Sequence, residues 1–150
     1  MLPGVVLLAM AYSVQYIIDQ GGITDTILYS ASNVIADAPS AVAAFLIYLL
    51  TLVMNFFIGS ASAKAFLMMP ILTPLADLVG ISRQTAVLAF DFGDGFSNML
   101  YPSNALLLIA LSFTVVTYPK WFRWTIPVQG LILLISSAFL LFAVFINYGP

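Results

Sequence analysis

The 150-residue chain contains no cysteine, no histidine and no glutamate. Without thiols it forms neither disulfides nor thiolate metal sites. Without imidazole it lacks the commonest metal ligand and general base. Charge of either sign is scarce: four basic and six acidic residues, all six aspartate, amount to 7% of the chain. Lys64, Arg83, Lys120 and Arg123 are too few and too scattered to build a basic footprint, so no nucleic-acid partner is expected. Enzymatic chemistry is poorly supplied, no organic cofactor is called for, and the chain does not read as an enzyme.

What is abundant is hydrocarbon. Hydrophobic residues make up 63% of the chain, and the mean hydropathy is +1.11. A soluble domain carries about 25% charged residues, so this chain cannot cover itself with a wetted surface, and the lipid bilayer must be its outer solvent. The fold class that follows is an all-α membrane protein, residues 1–150 forming a single transmembrane domain. The opening run MLPGVVLLAMAYSVQYII has no positive n-region, which argues against a cleavable signal.

A helix needs roughly 20 apolar residues to cross a bilayer core. The first run barely reaches that length before Asp19, Gly21, Gly22 and Asp25 interrupt it. The mixed stretch from Thr24 to Asp37 reads as a helix lying at the interface, with Thr24 as its candidate N-cap. An uncharged run from Ala38 stops at Gly59-Ser60-Ala61-Ser62-Ala63, followed by Lys64. The apolar segment beyond, Ala65 to Ala76, holds Pro70 and Pro74 and reads as too short to cross, which predicts a re-entrant hairpin with a small-residue tip. The segment from Arg83 to Pro119 starts as QTAVLAF, turns into DFGDGFSNMLYPSN and resumes as ALLLIALSFTVVTY, the pattern of a discontinuous transmembrane helix. A last uncharged run, Thr125 to Tyr148, is flanked by Trp121 and Trp124 on one side and Tyr148 on the other, as in aromatic belts.

Breaks in embedded helices free backbone groups that lipid cannot satisfy, at several kcal/mol each. Freed groups and half-helix ends can instead hold ions and substrates. The first candidate cluster is Asn55 with Ser60, Ala61, Ser62 and Lys64; an ordinary loop or a small-residue packing seam is the bland alternative. The second is Asp94, Ser97, Asn98, Ser103 and Asn104, with Asp91 three residues before Asp94, and its bland alternative is an interfacial loop. Carboxylates at membrane depth default to function. Asp94 is favoured over Asp91 because Gly93 and Gly95 bracket it and let the backbone open there. Lys64 is open to three readings: binding a substrate carboxylate, replacing a cation beside Asp91 or Asp94, or snorkelling to water. Ser60, Ser62, Asp94 and Asn98 form a candidate sodium set.

The stretches IIDQGGITDTIL, NFFIGSASAKAFLMMPILTPLADLVGISRQTAVLAF and FGDGFSNMLYPSN resemble the C-terminal half of the YfcC-like and C4-dicarboxylate anaerobic carrier (DcuC-type) group of the ion transporter superfamily. The resemblance implies one repeat of an inverted-repeat transporter, with a span at 3–18, an interfacial helix at 24–37, a re-entrant hairpin at 40–79, a broken helix at 82–118 and a final span at 125–147. It places Ser60-Ala61-Ser62 where sodium–dicarboxylate relatives carry a Ser-Asn-Thr-type tip, and it matches Ser97-Asn98 and Pro102-Ser103-Asn104 to the loop of the broken helix. Ala61 and Ala63 stand where YfcC-like tips carry glycines, and the asparagine of the Ser-Asn-Thr tip is missing. It further implies a bacterial cytoplasmic (inner) membrane location, a homodimer when full length, and a first inverted repeat lacking here. The chain is accordingly expected to be a fragment, a truncated reading frame or one subunit of a split carrier.

The function expected is secondary active transport, by symport or antiport, of small charged metabolites. Candidate substrates are C4-dicarboxylates, amino acids (including basic ones exchanged by antiport) and small peptides. Sodium or protons would be the coupling ion. An intramembrane aspartyl protease fits poorly, because Asp91 and Asp94 lie in one segment rather than on two helices. A non-transporting scaffold or truncated remnant is the alternative of another class.

Overall fold

The computed structural model describes residues 20–149 continuously, together with Val6, Ala9, Ser13, Tyr16 and Ile17. The expected span at 3–18 falls almost wholly outside the described residues. Among the described residues all regular structure is helical, in the order α1 (Ile23–Ala36), α2 (Ser40–Phe57), α3 (Ala61–Val79), α4 (Arg83–Ser97), α5 (Ala105–Ser112) and α6 (Tyr118–Phe145). Three of these, α2, α3 and α6, are long and apolar enough to cross a membrane.

The centre is α2. Its buried residues include Ala43, Ala44, Ile47, Tyr48, Thr51, Met54 and Asn55, a broad stripe at helical spacing that packs on α4, α6, α1 and α3. In lipid the tails are as apolar as leucine, so burial alone does not drive helices together, and close packing and hydrogen bonds must. Both are present. The α4 face turned inward holds Ala86, Ala89 and Gly93, small residues that let the backbones approach. The Tyr48 hydroxyl and Ser136 Oγ share a buried hydrogen bond of 2.8 Å between α2 and α6.

Four expectations from the sequence change here. The N-cap of α1 is Gly22, at φ 61, with no side-chain cap. A left-handed glycine reverses the chain at that point, and Thr24 turns into the core. The stretch after Lys64 is not a dozen residues long. Helix α3 runs for 19 residues, through Pro70 and Pro74, because Ser60 starts it upstream of Lys64 and the helix tolerates both prolines. By length alone α3 spans about 28 Å. The interruption after α4 begins at Asn98, not at Asp91, since DFGDGFS stays helical against α2. Finally, α5 stops at Ser112, where the Ser112 and Thr114 hydroxyls bond back to the carbonyls of Ile109 and Leu111. The β-branched run Thr114 to Thr117 that follows is a poor helix former. Helix α6 starts at Tyr118, ahead of the expected 125, with Thr117 as N-cap and Pro119 in its first turn.

The opposite ends of α2 and α3 are tied together. Ser40 at the start of α2 donates to the Val79 carbonyl at 2.7 Å, which satisfies one of the carbonyls a helix leaves open at its C-terminus. Nearby, on the exposed turn between α3 and α4, Arg83 makes a two-pronged ion pair with Asp77 at 3.0 and 2.7 Å.

Candidate functional site: a buried ion pair beside a polar cleft

Four helix ends meet in one region. The last turn of α2 supplies Asn55, the first turn of α3 supplies Lys64, the last turn of α4 supplies Asp94 and Ser97, and Asn104 starts α5. Periodicity puts Lys64 inside: it heads the inward stripe Lys64, Met68, Leu72, Leu75 and Val79 of α3. The lysine side chain has 0% exposure, and its ammonium pairs with Asp94, whose side chain is 14% exposed. The same ammonium donates to Asn55 Oδ1 and to Asp94 Oδ1. Helix C-termini carry partial negative charge, so the ends of α2 and α4 favour a cation at this spot independently of the carboxylate.

A chain of amides runs outward from the ion pair. Asn55 Nδ2 donates to Ser97 Oγ at 2.5 Å, to the Asp94 carbonyl at 3.2 Å and to Asn98 Oδ1 at 3.3 Å. Asn98 Nδ2 donates to the Asp94 carbonyl at 2.9 Å, and Ser97 Oγ donates to the Gly93 carbonyl at 2.7 Å. Asn104 Nδ2 donates to Asn98 Oδ1 at 3.2 Å, while Asn104 Oδ1 accepts from the backbone N–H groups of Leu106 and Leu107. Asn104 is therefore both the N-cap of α5 and the outer link of the chain.

Asn98 and Asn104 line a cleft of about 1360 Å³, with Ser60 and Ser103 on its walls and Phe57, Ile58, Leu67 and Leu106 as apolar lining. None of the described residues around it is charged. The first turns of α3 and α5 both open onto it. Ser60 caps α3, accepting from Ala63 N at 3.4 Å. The Ser103 side chain is 8% exposed, and its hydroxyl has no hydrogen-bond partner among the described residues. A buried hydroxyl without a partner is rare and costs about 1–3 kcal/mol.

Of the residues singled out from the sequence, Asn55, Lys64, Asp94, Ser97, Asn98 and Asn104 form this one network, and Ser60 and Ser103 face the cleft. Ala61 and Ser62 lie on the exposed outer part of the first turn of α3, away from the network. The proposed sodium set is thus not gathered: Ser62 points elsewhere, and the Asp94 carboxylate is occupied by Lys64. Asp91 is exposed on α4 and takes no part. Gly93 opens nothing around Asp94; it is the point where α4 touches α2. Sequence reading missed three aromatic donors at the break, two of which satisfy its carbonyls while the third ties it to α2. The Tyr101 hydroxyl donates to the Leu52 carbonyl, the Tyr118 hydroxyl to the Leu100 carbonyl and the Trp121 indole to the Met99 carbonyl, each at 2.9 Å. The available signal was aromatic residues with a polar handle next to a break.

Apolar helices long enough to span, packed around a buried polar network, fit a multi-pass membrane protein. The family described as C4-dicarboxylate anaerobic carrier, DcuC, matches residues 1–145, and the chain belongs to that family of carriers, which are not enzymes. It is 42% identical over 126 residues to an Escherichia coli K12 protein named "Putative basic amino acid antiporter YfcC", covering 84% of this chain and 25% of that protein. It is 34% identical over 134 residues to a Haemophilus influenzae Rd protein, covering 89% of this chain and 26% of that one. The chain thus spans about a quarter of the length of these curated relatives. No solved structure matches it.

Proposed function

We propose that this chain supplies part of an ion-coupled secondary transporter, by symport or antiport, and that the cleft between the first turns of α3 and α5 holds the substrate. One observation supports this most: four helix ends converge beside a cleft whose described lining carries no charge, and the buried Ser103 hydroxyl in its wall has no partner among the described residues. Helix N-termini offer N–H groups and partial positive charge to an anion. Lys64 and Asp94 neutralise one another, so the two N-termini set the sign of the cleft. C4-dicarboxylates and amino acids share a carboxylate, the group that these termini suit.

In this reading residues 40–79 act as a hairpin entering from one side, 82–117 as the broken helix, 24–37 as the interfacial arm and α6 as the final span. The remainder of a full-length carrier would supply the inverted repeat that completes the site, in a homodimer in the bacterial inner membrane. Alternating access would carry hairpin and broken helix past a scaffold.

The test is thermal stability of the complete protein in detergent, against succinate, fumarate, arginine, ornithine and short peptides. A ligand present at 100 times its Kd stabilises by about 2.7 kcal/mol. Stabilisation by one carboxylate class, lost in Ser103→Ala or Asn104→Ala, supports the reading. A folded protein that responds to none of these ligands overturns it.

A further inference from the structure

We propose that Lys64 is a tethered cation: its ammonium occupies the cation position between the C-terminal ends of α2 and α4, so that substrate binding in the cleft needs no sodium. The inference rests on the transport reading and adds what drives the site's charge balance.

The geometry is that of a monovalent cation site already filled. The ammonium has no solvent contact, and its partners are oxygens, Asn55 Oδ1 and Asp94 Oδ1. Ser97 Oγ and the Asp94 carbonyl lie one hydrogen bond further along, both held by Asn55 Nδ2. Carboxylate, amide and hydroxyl oxygens at two negative helix ends are what a hard cation such as sodium would take. Among the described residues one carboxylate pairs with the ammonium. Asp94 is that partner; Asp91, one helical turn before it, is exposed and makes no ion pair with Lys64, and α2 contributes the neutral Asn55. Sodium and the ammonium together would leave an uncompensated positive charge at membrane depth, which is strongly disfavoured. The two cations therefore exclude one another.

Stability does not explain the lysine. A buried ion pair is often no better than apolar side chains of the same volume, and the inward stripe that Lys64 heads is otherwise Met, Leu and Val. What the ammonium does is fix Asn55, which fixes Asn98, which receives Asn104 at the cleft rim. In a sodium-dependent site such a chain is ordered only after an ion arrives. Here the covalently attached charge orders it beforehand.

The experiment compares melting temperatures of the complete protein in sodium chloride and choline chloride at equal ionic strength, for wild type, Lys64→Ala and the double variant Lys64→Ala with Asp94→Asn. The wild type is expected to melt at the same temperature in both salts, and to keep any ligand stabilisation in choline. Lys64→Ala leaves an empty oxygen-lined space with a bare carboxylate, and its melting temperature should climb with sodium by roughly 1–2 °C per tenfold in a protein the length of the full carrier. The double variant, without the carboxylate, should lose that response. Saturable stabilisation of the wild type by sodium overturns the proposal, and so does a folded Lys64→Ala that ignores sodium. If Lys64→Ala does not fold, the wild-type comparison still decides. These arms need no substrate, so a failure of the transport reading on the ligand panel is seen separately from a failure here.

Discussion

Gly93 on α4 rests directly on Thr51 of α2: a Cβ added to the glycine would lie 2.6 Å from the Thr51 Cβ and 2.9 Å from the Tyr48 carbonyl. Neither neighbour can yield easily, one being a β-branched side chain on a packed helix and the other backbone. This contact sets the distance between the two helices that carry Asn55 and Asp94.

Gly93→Ala should therefore destabilise the protein by about 1–3 kcal/mol, the range for forced overpacking. Gly95, two residues on, has nothing within 4 Å of its added Cβ. Gly95→Ala should be neutral or stabilising by up to about 1 kcal/mol, as expected for replacing glycine in a helix. Melting temperatures of the two variants in detergent check the contrast.

The ion pair predicts strong non-additivity. Lys64→Met or Asp94→Leu alone strands the opposite charge and should cost about 3–5 kcal/mol. The double variant removes both charges and should recover most of that loss. Its transport, measured in proteoliposomes, should stay absent, because the amide chain has lost its anchor.

Asn104 has two separable roles. Asn104→Ala removes the N-cap of α5 and should cost about 1 kcal/mol. Asn104→Ser keeps a capping oxygen but loses the donor to Asn98. Serine should restore most of the melting temperature without restoring ligand-induced stabilisation.

Ser103 should behave in the opposite way. Its hydroxyl is buried without a partner among the described residues, so Ser103→Ala should leave the empty protein as stable as before or slightly more so. Ligand stabilisation should fall. A variant that is sturdier alone and weaker with ligand separates a binding role from a packing one, and thermal shift reads both values in one titration.

Much of this arrangement is written in the sequence at two levels. Run lengths and interrupting residues show that helices are present and that one is broken between Asp91 and Asn104, though not where the break starts, because a bilayer forces every spanning segment to be either long and apolar or visibly broken. Lys64, Met68 and Leu72 share one helix face, but the sequence left the lysine open to snorkelling, and only the packed structure turns that face inward. What no local pattern contains is distance between elements. The choice of Asp94 over Asp91 as the lysine's partner depends on how α4 is rotated against α2, and the Gly93–Thr51 contact sets that rotation. The end of α5 was misjudged for a different reason: LSFTVVTY is apolar enough to continue a span, but its hydroxyls turn back onto the last carbonyls of the helix.

Pro70 and Pro74 both lie on the exposed side of α3, four residues apart. Proline has no N–H, so the carbonyls of Phe66 and Pro70 lose their helical partners. With two neighbouring bonds missing, the middle of α3 is the weakest stretch of a continuous helix and would serve as a joint between its lower and upper parts. The lower part is pinned at Val79 by Ser40; the upper one carries both the Lys64 ammonium and the Ser60 wall of the cleft. Any flexing at the joint moves charge and wall as one body, so opening the cleft and loosening the ion pair would be a single event.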